Sequence, residues 1–153
     1  MDTMAQYNTA KLGAYTQINV ETSSQGKLVV MLFNAAIRRA EEAKRQMESG
    51  RRDEVHNHLM RAQDIITELR GALNMSVRPI SQDLDRIYEY LQHLLISANL
   101  RKDSAPIDEC VRFMKEIRDM WEEAFAAAAR ENKALGAMSA INTLGHSSMN
   151  LST

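Results

Sequence analysis

Cysteine is nearly absent: Cys110 is the lone one in 153 residues, so no disulfide can form within the chain. Proline and glycine are scarce too, with two and six residues, which removes the punctuation expected of a hairpin-rich β protein. The glycines are dispersed, and Gly26 stands alone in SSQGK, so there is no phosphate-cradling loop and no Gly-x-Ser-x-Gly elbow. No Glu-x-x-His pair exists, which a di-metal site in a helical bundle would need. The longest apolar run, Leu28 to Ile37, is broken by Asn34 and falls far short of the roughly 20 residues of a membrane span. The opening stretch MDTMAQYNTAKL lacks the basic-then-apolar order of a secretory signal, which points to the cytoplasm. Charge of one sign is lacking as well. With 19 Lys+Arg against 20 Asp+Glu the formal net charge is -1, so no overall field draws the chain to nucleic acid or an anionic membrane. A partner is expected to be recognised by shape and apolar contact.

What is plentiful is Ala, Leu, Met, Glu, Arg and Gln, the composition of helices. From about Ser24 to Ser49, Leu28, Met31, Leu32, Ala35, Ala36, Ala40, Ala43 and Met47 step by three and four along one face, and Gly50 stands where a helix-ending glycine belongs. Asp53 reads as the next N-cap, followed by the seam Val55, Leu59, Ala62, Ile66, Leu69 and Leu73. Pro79 or Ser81 opens a third helix carrying Leu84, Ile87, Leu91, Leu94 and Ala98, with Arg101 and Lys102 at its negative end. The fourth starts near Ser104, has Pro106 in its first turn, and continues through Ile107, Val111, Met114, Ile117, Trp121 and Phe125. The short connections SGRRD and KDSAP make neighbouring helices antiparallel. The expectation is an all-α, antiparallel four-helix bundle over residues 23–125. Residues 1–22 are expected to be a mobile arm and 126–153 a helix extension and flexible tail.

Candidate chemistry is sparse. His56 and His58 are two apart and point to different faces of a helix, so a shared metal is disfavoured. His93 reads as a flank residue and Cys110 as a small core residue with no base beside it. The pairs Arg38-Arg39 and Arg51-Arg52 are interleaved with Glu41, Glu42, Glu48 and Asp53, giving a salt-bridged surface rather than a nucleic-acid patch. Met31, Met47 and Met114 are assigned to the core. No catalytic residue, metal or cofactor is expected.

The third helix is the exception to this plain pattern. Beyond its stripe it carries Tyr88, Tyr90, Leu95, Ile96 and Leu100, more apolar surface than one core face uses. Either this is the most central helix, or it leaves an apolar groove for a partner helix.

LDRIYEYLQHLLISANLRKD, followed by IDECVRFMKEIRDMWEEAF, resembles the FliS family of flagellin-specific export chaperones, whose third helix has a Leu-Tyr-Asp-Tyr-type core leading to Ala-Asn and a basic residue. YTQINVETSSQGKLVVMLFNAAIRRAEEAK is similar to the family's first helix, and AQDIITELRGAL to its second, so the resemblance spans about residues 15–125 in order. The chain departs from the pattern in SSQGK, where Ser-Pro-x-Glu usually opens helix one. It departs again in Phe33-Asn34 for Tyr-Asp, in Gln92-His93 for a basic pair, and in SVRPIS without paired glycines.

The resemblance implies a non-enzymatic bundle, monomeric or weakly dimeric. It would bind the disordered C-terminal segment of flagellin in the cytoplasm, prevent premature polymerisation and keep it competent for type III export. The contacts expected on that basis are Ile18, Val20, Leu28, Leu32, Tyr88, Leu95, Ala98, Asn99 and Arg101, with Asn99 and Arg101 as polar fixers. Tyr7 and Tyr15 on the N-terminal arm would cover the empty groove. Whether the export gate or an anti-sigma factor also binds is left open. The alternative is a structural bundle that spends its surplus apolar face on self-association.

Overall fold

The structure is a computed structural model that describes residues 18–77 and 79–151, with side chains described for 26–77 and 79–140. Four helices account for nearly all of it: α1 (Ile18–Glu48), α2 (Arg52–Gly71), α3 (Ile80–Arg101) and α4 (Ser104–Leu151). Each packs against the next in sequence, and α4 returns to α1, closing an antiparallel ring. No strand occurs among the described residues.

The turns follow from local chemistry. Gly50 sits at φ 74 and ends α1. Its N–H donates to the Met47 carbonyl and that of Arg51 to the Gln46 carbonyl, the paired bonds of a Schellman motif. Arg51, not Asp53, takes the N-cap position of α2, and no side chain caps it. Asp53 lies one step inside and acts on the helix dipole instead. Pro79 occupies the N-cap of α3, and the buried Ser81 ties that end down by donating its Oγ–H to the Asn74 carbonyl at 2.6 Å. At the other end of α3, Lys102 adopts φ 50, a left-handed conformation that costs a non-glycine residue roughly 1 kcal/mol.

The core runs down the ring's axis. α2 contributes Val55, Leu59, Ala62, Ile66 and Leu69, and α4 contributes Ile107, Cys110, Met114 and Ile117. α1 contributes Phe33, Ala36, Ile37, Ala40 and Ala43, with Leu28, Val29, Leu32 and Met47 flanking them. Met31 is not in the core. It is 64% exposed, because Phe33 faces inward and two residues along a helix turn by about 200°. In α3, Tyr88 takes the buried place expected for Ile87.

Two boundaries differ from the sequence pattern. α1 begins at Ile18 rather than near Ser24 and runs through SSQGK. α4 likewise continues through Gly136 to Leu151, giving a 48-residue helix against 31, 20 and 22 residues in α1 to α3. The long pair α1–α4 is held by close approach. Gly26 is buried, and a Cβ placed on it would lie 2.7 Å from Phe125 Cγ and 2.8 Å from its Cβ. Because those atoms are the root of the Phe125 side chain, the ring cannot swing away without moving the helix.

Gly26→Ala is therefore expected to destabilise the fold by about 1–3 kcal/mol through overpacking, although alanine is the better helix former. Urea unfolding checks this. The midpoint of Gly26→Ala should fall at unchanged slope, and adding Phe125→Ala should cost less in the Gly26→Ala background than in the native chain.

Candidate partner-binding face

α3 presents three different flanks, and its rotation decides which one is free. Inward, Leu84, Tyr88, Leu91, Leu95 and Ala98 are buried. The Tyr88 ring meets Phe33 edge-on at 5.8 Å and 65°. Its hydroxyl accepts a hydrogen bond from Trp121 Nε1–H at 2.8 Å. Burial pushes the phenol's pKa up, and the Trp121 bond opposes that only in part.

Toward α2 the flank is polar and closed. Arg70 donates through Nε to Asp85 Oδ1 at 2.7 Å, through Nη2 to Asp85 Oδ2 at 3.2 Å, and through Nη1 to Gln92 Oε1 at 2.9 Å. Gln92 passes a bond on to Thr67 Oγ1 at 2.8 Å, and Glu89 lies 3.5 Å from Arg70. The guanidinium holds the Asp85 carboxyl below its usual pKa. Further along, Asn99 Nδ2 lies 2.9 Å from His56 Nδ1.

Toward α4 and outward the flank is apolar and open. Ile87 is 41%, Tyr90 42% and Met120 47% exposed, and Phe113 is partly buried beside them. Tyr90 donates its hydroxyl proton to Glu109 Oε1 at 2.8 Å, which raises its pKa. It stacks near His93 and meets Phe113 edge-on at 6.0 Å. Ile96 and the 82% exposed Leu100 lie on the other side of α3 from Ile87, since nine steps along a helix turn it by about 180°. A separate apolar cleft of about 350 Å³ lies between α1 and α4, lined by Gly26, Val30, Met31, Phe125, Ala126 and Ala129 with Lys27 and Glu122 at its edge.

The expected contact residues are therefore split. Tyr88, Leu95 and Ala98 are core residues, so their side chains are already spent within the chain. Leu28 and Leu32 are partly buried against the same core. Asn99 is engaged by His56 and by Lys102 Nζ, whereas Arg101 is exposed. Ile18 and Val20 fall in the first turn of α1, their side chains outside the described residues, as are Tyr7 and Tyr15 altogether. Residues the pattern did not single out are Phe113 and Met120. They are one heptad apart on α4, off the stripe Ile107, Met114 and Ile117, and that offset was the available signal. Cys110 is buried, its thiol pushed up to about 12 by desolvation and donating weakly to the Leu91 carbonyl at 3.7 Å. Such a thiol is a packing group rather than a nucleophile. Among the described residues, no three His, Cys, Asp or Glu side chains gather as metal ligands, and no helix is long and apolar enough to cross a membrane.

Comparison with known proteins gives a consistent result. The model of the family described as "Flagellar protein FliS" matches residues 7–128. The flagellar secretion chaperone FliS of Escherichia coli (strain K12) is 33% identical over 116 residues, covering 72% of this chain and 85% of that protein. The chaperones of the same name from Bacillus subtilis (strain 168) and Vibrio cholerae are 28% and 30% identical over 123 and 117 residues, covering 80% and 73% of this chain and 92% and 86% of theirs.

The polar flank carries a pH signature. A depressed carboxyl pKa adds stability that is present above the unfolded value, about 3.9, and is lost as pH falls through the folded value. Asp85 is about a third exposed, so screening limits the effect to roughly 1 kcal/mol or less. Between pH 5 and 3, denaturant unfolding should show the native chain losing more stability than Asp85→Asn.

Proposed function

The chain belongs to the FliS family, and on that premise we propose that it is a cytoplasmic export chaperone for flagellin. It holds the disordered C-terminal segment of that protein unpolymerised and competent for flagellar secretion. The observation that supports this reading is the open apolar flank of α3 and α4, where Ile87, Tyr90 and Met120 remain about half exposed beside the buried core. A disordered client pays ordering entropy when it folds onto a surface. It therefore needs several modest apolar contacts rather than one deep pocket, and the α3–α4 edge offers Ile87, Tyr90, Phe113 and Met120 for them.

In this reading the anchors are the outward residues Ile87, Tyr90 and Met120. Tyr88, Leu95 and Ala98 set the shape of the surface from beneath. Arg101, exposed at the end of α3, pairs with a carboxylate of the client. The segment before Val20, with Tyr7 and Tyr15, is the temporary cover that keeps the flank from self-association. The same exposed flank suits one other reading, a bundle that dimerises through it.

Calorimetric titration of the full chain with a synthetic C-terminal flagellin peptide tests the proposal. One-to-one binding with a negative heat-capacity change is expected. The double substitution Ile87→Ser, Met120→Ser should weaken it about tenfold or more, since each buried apolar side chain contributes roughly 1.5–3 kcal/mol. Tyr88→Phe, which removes only the buried hydroxyl, should lower stability while leaving affinity unchanged. A stable dimer in sedimentation, indifferent to peptide, would overturn the chaperone reading in favour of self-association.

A further inference from the structure

The C-terminal half of α4 leaves the bundle without the neighbours that its first half has. Tyr88 meets Trp121 and α3 begins at Ile80, so an antiparallel α3 accompanies α4 no further than about Ala129. Gly26 meets Phe125 and α1 begins at Ile18, so α1 reaches about Lys133. Residues 134–140 are exposed throughout. The face that projects is nevertheless patterned. Met120, Ala124, Ala127, Glu131, Ala134 and Met138 follow one another at alternating steps of four and three, the spacing of a coiled-coil seam, and all of them are exposed. Met138 lies about five full turns beyond Met120, so the two share one side of the helix. The seam therefore starts on the open α3–α4 flank and carries it past the end of α3. Its alanines leave room for another helix at close range, and Glu131 is without an ion-pair partner among the described residues.

We propose that this projecting seam is a docking arm for the client: a helical part of the client lies on α4 from Met120 to Met138 and sets a lysine or arginine against Glu131. Resting on the chaperone reading, the arm adds to it a surface beyond residue 128, where the match to the family model stops. Charge decides the occupant. A second copy fits poorly, because in-register parallel pairing sets Glu131 against its own counterpart, and antiparallel pairing that lays Met120 over Met138 sets it against Ala127. Either way a carboxylate sits in the seam unmatched. A client helix with a cation at that level and apolar residues above and below it matches both features. The span from Met120 to Met138 is about 27 Å, enough for about 18 residues of such a helix. An empty seam gives the projecting helix no packing, and this stretch carries Asn132, Gly136 and Ser139, which are poor helix formers. Covering the seam therefore also stiffens the arm.

Calorimetric titration of the full chain and of its Met138→Ser and Glu131→Lys variants with the synthetic C-terminal flagellin peptide, together with amide hydrogen exchange, tests the arm. Both side chains are exposed, so the urea midpoints of the variants should match that of the native chain. Each substitution is expected to weaken binding about three- to tenfold. Glu131→Gln should flatten the salt dependence of the affinity, and peptide should slow exchange over residues 134–140. Peptide that binds and loses affinity in Ile87→Ser, Met120→Ser but is indifferent to Met138→Ser and Glu131→Lys overturns the arm and leaves the chaperone reading standing. No binding at all overturns both. Exchange over residues 134–140 that is already slow without peptide also overturns the arm: it gives the seam to residues 1–17 of the same chain if the protection is independent of concentration, and to a second copy if it rises with concentration.

Discussion

A phenol in the middle of an apolar core must find a hydrogen-bond partner, and the rest of this bundle is arranged around how Tyr88 does so. Burying its hydroxyl unpaired would cost about 1–3 kcal/mol. Trp121 Nε1–H, 2.8 Å away on α4, removes that cost. The bond sets the rotation of α3 about its own axis and its height against α4. Once Tyr88 points inward, Ile87 and Tyr90 are turned toward the α4 edge, and Asp85, Gln92 and Asn99 toward α2. The division of α3 into a sealed polar flank and an open apolar one follows from that single placement.

The sealed flank and the close α1–α4 pair brace two sides of the scaffold. Arg70 forms a bidentate pair with Asp85 and reaches Gln92 in the same plane, a geometry that resists sliding. On the other side Lys44 meets Asp108 at 2.8 Å and Arg118 reaches Asn34 at 3.0 Å, alongside the contact of Gly26 with Phe125. These surface pairs add little stability singly, but they set register. Between the two braced seams, the outer edge of the α3–α4 pair carries the Tyr90–Glu109 bond, lying over aromatic and aliphatic groups.

Much of this was legible in the residues. The α2 seam from Val55 to Leu69 faces the core as its spacing requires, and Gly50 ends α1 through the bonds a left-handed glycine permits. The resemblance that spans the helices was carried by residues in order, and the family match runs over 7–128. What periodicity left undecided was the choice between neighbours on α3. Ile87 and Tyr88 both lie three or four residues from Leu84 and Leu91, so either fits an inward stripe. The deciding fact, a tryptophan N–H on another helix, is not a property of α3 at all. The same holds for Met31 and for SSQGK. Gly26 in a polar run gives no sign of close packing until Phe125 is known to press on it, and that contact is what leaves no room for a side chain there.

The central claim is that the α3–α4 flank, and not the α2–α3 flank, receives the client. Methionine methyl groups report on this directly, because Met120 lies on the open flank, Met114 in the core, Met31 in the α1–α4 cleft and Met60 on the exposed side of α2. In ¹³C-methyl spectra of the chain titrated with the C-terminal flagellin segment, the account predicts that Met120 shifts and broadens first while Met60 stays in place. Movement of Met60 with Met120 unchanged would contradict it.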